Sequence, residues 1–200
     1  MLLNSLNNPW GGRLLPPGVD AAEWGKVPEE LQGELLDALA QREWPILMFG
    51  PTGRGKTCAM ACVFMAMPAQ FMAMWYDTGE LLQRMMECRK SNTGNITRYT
   101  QDGKAVTESE FDIKRKLNSA DYVFLDDVGV TEPTEAKRGA FEEIINIRQG
   151  KPTIYSSNKS AKELADIFDM RVVSRLFAGV SIKVESGVDR RIHGKQVRKA

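Results

Sequence analysis

The sequence predicts an α/β protein with a parallel sheet covered by helices on both faces. Three observations carry this. Short apolar runs alternate with longer segments of helical spacing. The runs at 46–49 and 122–125 are continuously apolar, as strands buried on both faces must be. A glycine-rich stretch at 50–57 joins the first run to a helical segment, the layout of a strand–loop–helix phosphate cradle.

Size and composition suit that class. A chain of 200 residues forms one domain with a real core. Its 42% hydrophobic and 26% charged residues are ordinary for a soluble globular protein. The formal net charge of +1 argues against a global nucleic-acid-binding surface, so any basic patch must be local. The three cysteines, Cys58, Cys62 and Cys88, are too few for a disulfide framework and form no CxxC pair. Cys58 and Cys62 share a helix face and read as core packing. Asn4, Asn7, Asn8 and Pro9 interrupt the early apolar residues, so no signal peptide is visible. No apolar run approaches the roughly 20 residues of a membrane span. A reducing, cytoplasmic location without membrane contact is expected.

The elements follow in order. Residues 1–28 are dense in Pro and Gly and predict an irregular arm. Pro28 then precedes Glu29 and Glu30, and Leu31, Leu35, Leu36 and Leu39 mark an amphipathic helix with acids in its first turn. Strands are predicted at 46–49, 71–75, 122–125, 153–156 and 181–185. Helices are predicted at about 56–65, 79–89, 135–147, 162–168 and 170–177. Phe141, Ile144, Ile145 and Arg148 share one face of the 135–147 helix. Residues 90–110, polar and poor in long aliphatics, read as a loop or insertion. Expected boundaries are 1–45 for the arm and short helix, 46–192 for the core, and 193–200 for a basic tail.

Gly50-Pro51-Thr52-Gly53-Arg54-Gly55-Lys56-Thr57 fits G-x-x-x-x-G-K-[ST] in full. The glycines let successive N–H groups turn toward phosphate oxygens, and the helix N-terminus adds partial positive charge. With the following Cys58, these residues are the expected ATP-binding set. Lys56 is expected at the β- and γ-phosphates and the Thr57 hydroxyl on Mg²⁺. The run at 122–125 ends in Asp126 and Asp127, at the sheet edge where ligands gather. Asp126 is the second expected Mg²⁺ ligand, directly or through water, and Asp127 the candidate to orient or activate an attacking water.

Four stretches together resemble the DnaC/IstB-like ATPases, AAA+ proteins that load replicative helicases or assist transposition: Asp126-Asp127-Val128-Gly129, Pro133-Thr134-Glu135, Pro152-Thr153-Ile154 with Ser156-Ser157-Asn158, and Arg171-Val172-Val173-Ser174-Arg175-Leu176. The resemblance covers about 46–192. It implies a P-loop AAA+ core with a five-stranded parallel sheet in the order 5-1-4-3-2. It makes Asn158 the sensor 1 residue, near the γ-phosphate or the attacking water, and Arg175 the arginine finger that reaches a neighbouring subunit's ATP. Arg171 matches the second arginine of that motif, and Arg190 or Arg191 is a candidate for a further sensor. A homo-oligomeric ring or spiral is implied.

The family also implies DNA, single-stranded and without sequence preference, and a replicative helicase or transposase as partners. Lys114, Arg115 and Lys116 beside the insertion, together with the basic C-terminus, are the candidate phosphate contacts. About 45 irregular residues precede the first core strand, too few for the N-terminal domain of longer family members. The expected function is Mg²⁺-dependent ATP hydrolysis in DNA replication. An IstB-like transposition role, an ATP-gated adaptor that hydrolyses weakly, and a P-loop small-molecule kinase remain alternatives.

Overall fold

The computed structural model describes residues 13–16, 18–99, 103–129 and 133–185. A 3₁₀ turn at Trp24–Lys26 leads into α1, Glu29–Gln41. The fixed φ of Pro28 presets the start of α1, and Glu29 and Glu30 oppose its dipole. The core elements are β1 (Ile46–Phe49), α2 (Lys56–Ala66), β2 (Ala73–Asp77) and α3 (Thr78–Lys90). Next come β3 (Asn95–Tyr99), β4 (Ala105–Ser109), α4 (Glu110–Ser119) and β5 (Tyr122–Asp126). The last are α5 (Glu135–Arg148), β6 (Thr153–Ser157), α6 (Ala161–Ile167), α7 (Met170–Leu176) and β7 (Val180–Lys183).

Five strands form one sheet in the order β2-β5-β6-β1-β7, with every neighbouring pair parallel. Numbered among these five strands alone, that is the expected order 5-1-4-3-2. A dry core lies on each face. On one, Leu31, Leu35 and Ala38 of α1 join Met60 and Val63 of α2 over Ile46, Met48, Phe124 and Ile154. On the other, α3 to α7 cover Leu47, Val123, Leu125 and Tyr155. Side chains alternate between the faces along each strand, so the central strands bury both sides, β1 and β5 with largely apolar side chains. Trp75 lies in the first core, stacked on Phe124 at 6.0 Å and edge-on to Phe64 at 5.8 Å. Cys62 is buried, as a packing residue should be, whereas Cys58, expected in the core on the same helix face, is only partly buried.

The helix boundaries match the expected spans to within one or two residues, and β2 and β7 are displaced. The expected strand at 71–75 runs from Ala73 to Asp77 instead. Phe71 closes a turn onto the Pro68 carbonyl and packs on Tyr122, while the polar end of the strand continues because Asp77 pairs in register with Asp126.

The larger correction lies at 90–119. The stretch read as a loop holds the antiparallel hairpin β3–β4, and α4, which no expectation named, follows at once. Both are polar because their contacts are largely ionic. Glu108 of β4 is buried between Arg84 of α3 and Lys116 of α4. Ser109 and Asp112 form a reciprocal capping box at the start of α4. Arg148, on the apolar face of α5, is likewise buried; its guanidinium donates to the Leu117, Ala120 and Pro152 carbonyls and the Thr153 hydroxyl, tying α4 to the sheet.

Candidate active site

β1 stops at Phe49, and the chain curls through Gly50, Gly53 and Gly55, all at positive φ, into α2. Gly50 has a second constraint: a Cβ there would stand 2.2 Å from the Val184 carbonyl oxygen. Gly55 caps α2 without a side-chain hydrogen bond, so no side chain competes for the first-turn N–H groups. An anion suits such a helix start. Lys56 is 4% exposed, and its ammonium donates to the Gly50 and Pro51 carbonyls, each at 2.7 Å. Thr52, Gly53 and Arg54 complete the turn. The Cys58 thiol faces the Glu23 carbonyl at 3.7 Å, so any phosphate contact from Cys58 would come from its backbone. Beside the loop, Pro51, Asn158, Ser160 and Lys183 border an open cleft of about 510 Å³.

The acids stand across from this turn. Asp126 ends β5 and is 8% exposed. The Thr57 hydroxyl donates to Asp126 Oδ1 at 3.1 Å, and the Ser156 hydroxyl donates to the same oxygen. The P-loop helix and the acidic strand end, distant in sequence, thus share one carboxylate oxygen. Burial pushes the Asp126 carboxyl up; the Ser156 hydrogen bond opposes that, the charge of Asp127 adds to it, and Thr57 opposes it again. A cation at this point would favour the ionised form. A hydroxyl beside a carboxylate is also a fitting donor set for Mg²⁺, a hard ion that takes few protein ligands and completes its shell with phosphates and water. The residues therefore fit ATP with Mg²⁺.

Asp127 sits at φ 56°, in the left-handed region. Its N–H donates to the Ser156 hydroxyl at 3.1 Å, and Asn158 Nδ2 donates to its Oδ1 at 2.9 Å. Below it, the buried Thr78 hydroxyl donates to the Asp126 carbonyl at 2.7 Å. Asn158, just past β6, thus meets Asp127, a contact that the sequence reading did not name. Ser156 stood in a motif stretch without a role of its own, and Thr78 was not named from the sequence. The readable signal was a pair of hydroxyl residues, Ser156 and Ser157, ending an otherwise apolar strand.

Arg175 lies on α7, a third exposed, bonded to Asn146 Oδ1 and 3.9 Å from Glu142 of α5. It contacts neither the P-loop nor Asp126. Arg171 is exposed on the same helix. Arg190 and the basic residues after it lie outside the described residues. Lys114, Arg115 and Lys116 sit on α4, each beside a carboxylate: Lys114 on Glu110 and Glu143, Arg115 on Asp112, Lys116 on Glu108. No described helix is long and apolar enough to cross a membrane.

No protein-family model matches the chain. The chromosomal replication initiator DnaA of Acinetobacter baumannii is 30% identical over 148 residues, 73% of this chain and 29% of that protein. The chain thus spans less than a third of the curated relatives it matches. A replication initiator DnaA bound to AMPPCP and single-stranded DNA superposes with TM-score 0.63 at 20% identity, over 94% of this chain and 56% of that one. A DnaC helicase loader superposes with TM-score 0.61 at 16% identity, over 89% of this chain and 99% of that one. The fold is the P-loop AAA+ fold, and the resemblance to DnaC-like proteins drawn from the motifs is borne out by these neighbours.

Proposed function

We propose that this AAA+ protein binds ATP with Mg²⁺ at the joined P-loop and acidic strand end, hydrolyses it, and acts in DNA replication in the manner of a helicase loader. The observation that carries the proposal is the Thr57–Asp126 hydrogen bond, which brings the loop's hydroxyl and the strand's carboxylate to one point. The replication role is supported by the similar proteins, replication initiators and a helicase loader by name.

In this reading the P-loop N–H groups and the α2 dipole hold the phosphates. Lys56 exchanges its two loop carbonyls for β- and γ-phosphate oxygens. Thr57 and Asp126 would hold Mg²⁺, which would supply charge neutralisation for those phosphates. Asp127 accepts a proton from the attacking water, and Asn158 holds its carboxylate in place. Hydrolysis frees phosphate and leaves ADP. Arg175, a third exposed and bonded to Asn146 of α5, would serve the ATP of an adjoining subunit, the role that the motif resemblance implies. DNA is the expected polyanionic partner, single-stranded as in one similar DnaA structure.

Phosphate release measured with Mg²⁺, with and without single-stranded DNA, tests the proposal. Expected is Mg²⁺-dependent release that DNA alters. ATP binding without any turnover, under conditions of confirmed assembly, would leave a nucleotide-gated adaptor in its place; a phosphorylated small molecule would make the protein a kinase.

A further inference from the structure

We infer that Ser156 is the positioning residue that sets both acids of the site with one hydroxyl. The inference rests on the proposed Mg²⁺–ATP reading and names the device that prepares it. Ser156 lies on β6, the strand beside β5, and is fully buried. Its Oγ has one proton to donate and lone pairs to accept. The proton goes to Asp126 Oδ1 and a lone pair takes the Asp127 N–H at 3.1 Å. The two contacts act on different acids in different ways. The first fixes the rotamer of the carboxylate expected to meet the metal. The second meets the backbone of Asp127 at φ 56°, a left-handed conformation uncommon outside glycine, asparagine and aspartate.

Neighbouring groups reinforce the placement without duplicating it. Thr57 shares Asp126 Oδ1, but it stands on the P-loop helix and is itself an expected metal ligand. Thr78 holds the Asp126 carbonyl, and Ser157 donates to the Val128 carbonyl at 2.7 Å. Neither hydroxyl bonds an acid's carboxylate. Ser156 bonds both the carboxylate of the first acid and the amide of the second. A hydrogen bond to a charged group exceeds a neutral one in strength, so its loss should register at Asp126 more than at the fold as a whole.

The test compares Ser156→Ala with Ser157→Ala, which removes an equally buried hydroxyl one residue along the strand, and with Ser156→Thr, which keeps the hydroxyl. ATP affinity is measured by calorimetry across a Mg²⁺ series and without Mg²⁺, and phosphate release at saturating Mg²⁺. Thermal melting reports stability separately. Ser156→Ala should keep its Mg²⁺-free ATP affinity, need about tenfold more Mg²⁺ to reach full affinity, and turn over about tenfold more slowly at saturation, as expected for one lost charge-assisted hydrogen bond. Ser157→Ala should lose similar stability with an unchanged Mg²⁺ requirement, and Ser156→Thr should recover the wild-type requirement. If both alanine variants shift the Mg²⁺ requirement alike, or neither does while the wild type responds to Mg²⁺, Ser156 is structural only. If wild-type ATP affinity is itself indifferent to Mg²⁺, the underlying reading falls and this inference falls with it. Ser156→Ala is a small deletion in a closed strand, and its Mg²⁺-free affinity shows whether the cradle is folded.

Discussion

The acidic edge of the sheet and the insertion at 95–119 are both polar, yet they are built from opposite materials. At the edge, short side chains do the work: Thr57, Thr78, Asp126, Asp127, Ser156 and Asn158 reach one another directly from strand ends and a helix start. In the insertion, long charged side chains span the gaps: Arg84 to Glu108, Arg89 to Glu110 and Glu143, Arg98 to Glu80, Lys114 to Glu110 and Glu143. Short hydroxyls and carboxylates at the ends of buried strands have few rotamers and little room, so their geometry is fixed before ligand arrives. Apart from the pair on buried Glu108, these long ion pairs lie nearer the surface, where they are weaker, screened by salt and open to competition from another polyanion. The fold holds its chemistry rigid and its insertion by adjustable contacts.

The largest expected effect lies outside both regions and shows whether the rigid edge suffices alone. Arg175→Ala should keep ATP binding and lower turnover by about 1,000-fold or more, as arginine fingers do. Mixing it with Lys56→Ala, which lacks ATP binding but keeps its own Arg175, should restore some phosphate release at concentrations where assembly is confirmed. If no mixing ratio exceeds either variant alone, Arg175 does not act between subunits.

Within the edge, Asp127→Asn should leave ATP affinity within about twofold and slow hydrolysis on the order of 100-fold, the scale of general-base catalysis. A variant that turns over at the wild-type rate would remove Asp127 from the chemistry and leave Asn158 holding a structural turn.

The insertion should answer to charge. Hydrogen bonds from Arg89 pull the Glu110 carboxyl down from 4.5 to about 2. Its folded-state value is depressed, so the stability it lends is complete above about 4.5 and is lost as pH falls through about 2. Glu110→Gln should destabilise the protein by about 1 kcal/mol at neutral pH and flatten the acid limb of its stability curve between those values. An unchanged denaturation midpoint at pH 7 would show that the pairs are incidental. The smallest effect concerns DNA. Because Lys114, Arg115 and Lys116 already face carboxylates, neutralising all three should lower the salt slope of single-stranded DNA binding only modestly, by less than the roughly 0.7 per contact that three free phosphate contacts would give. A fall of the full amount would mean that the ion pairs open on binding.

The same contrast explains what could be read from the sequence. The P-loop was legible because positive-φ glycines, a lysine and a threonine at fixed spacing have few other uses together, and the two core faces were legible because β1 and β5 are apolar throughout. The hairpin was not, because Ile96 is its only large aliphatic facing the core, and its partner position, Glu108, is buried by pairing with charges distant in sequence. Hydrophobic periodicity cannot report an element held by ion pairs. The cap of α4 was readable in Ser109 and Asp112, although a polar run around them masked it. Ser156 escaped for another reason. A serine in a strand carries no signal by itself, and its role depends on β6 lying beside β5, which only the topology supplies.

In the proposed reading, Thr57 and Asp126 make one Mg²⁺–ATP site. Calorimetric titration of ATP into wild-type protein and Asp126→Asn, with and without Mg²⁺, tests it directly. Without Mg²⁺ the two should bind ATP equally. With Mg²⁺ the wild type should tighten and the variant should lose most of that gain, about tenfold or more, as expected when a charged metal contact is removed. An equal gain in both would contradict the account and place the metal elsewhere.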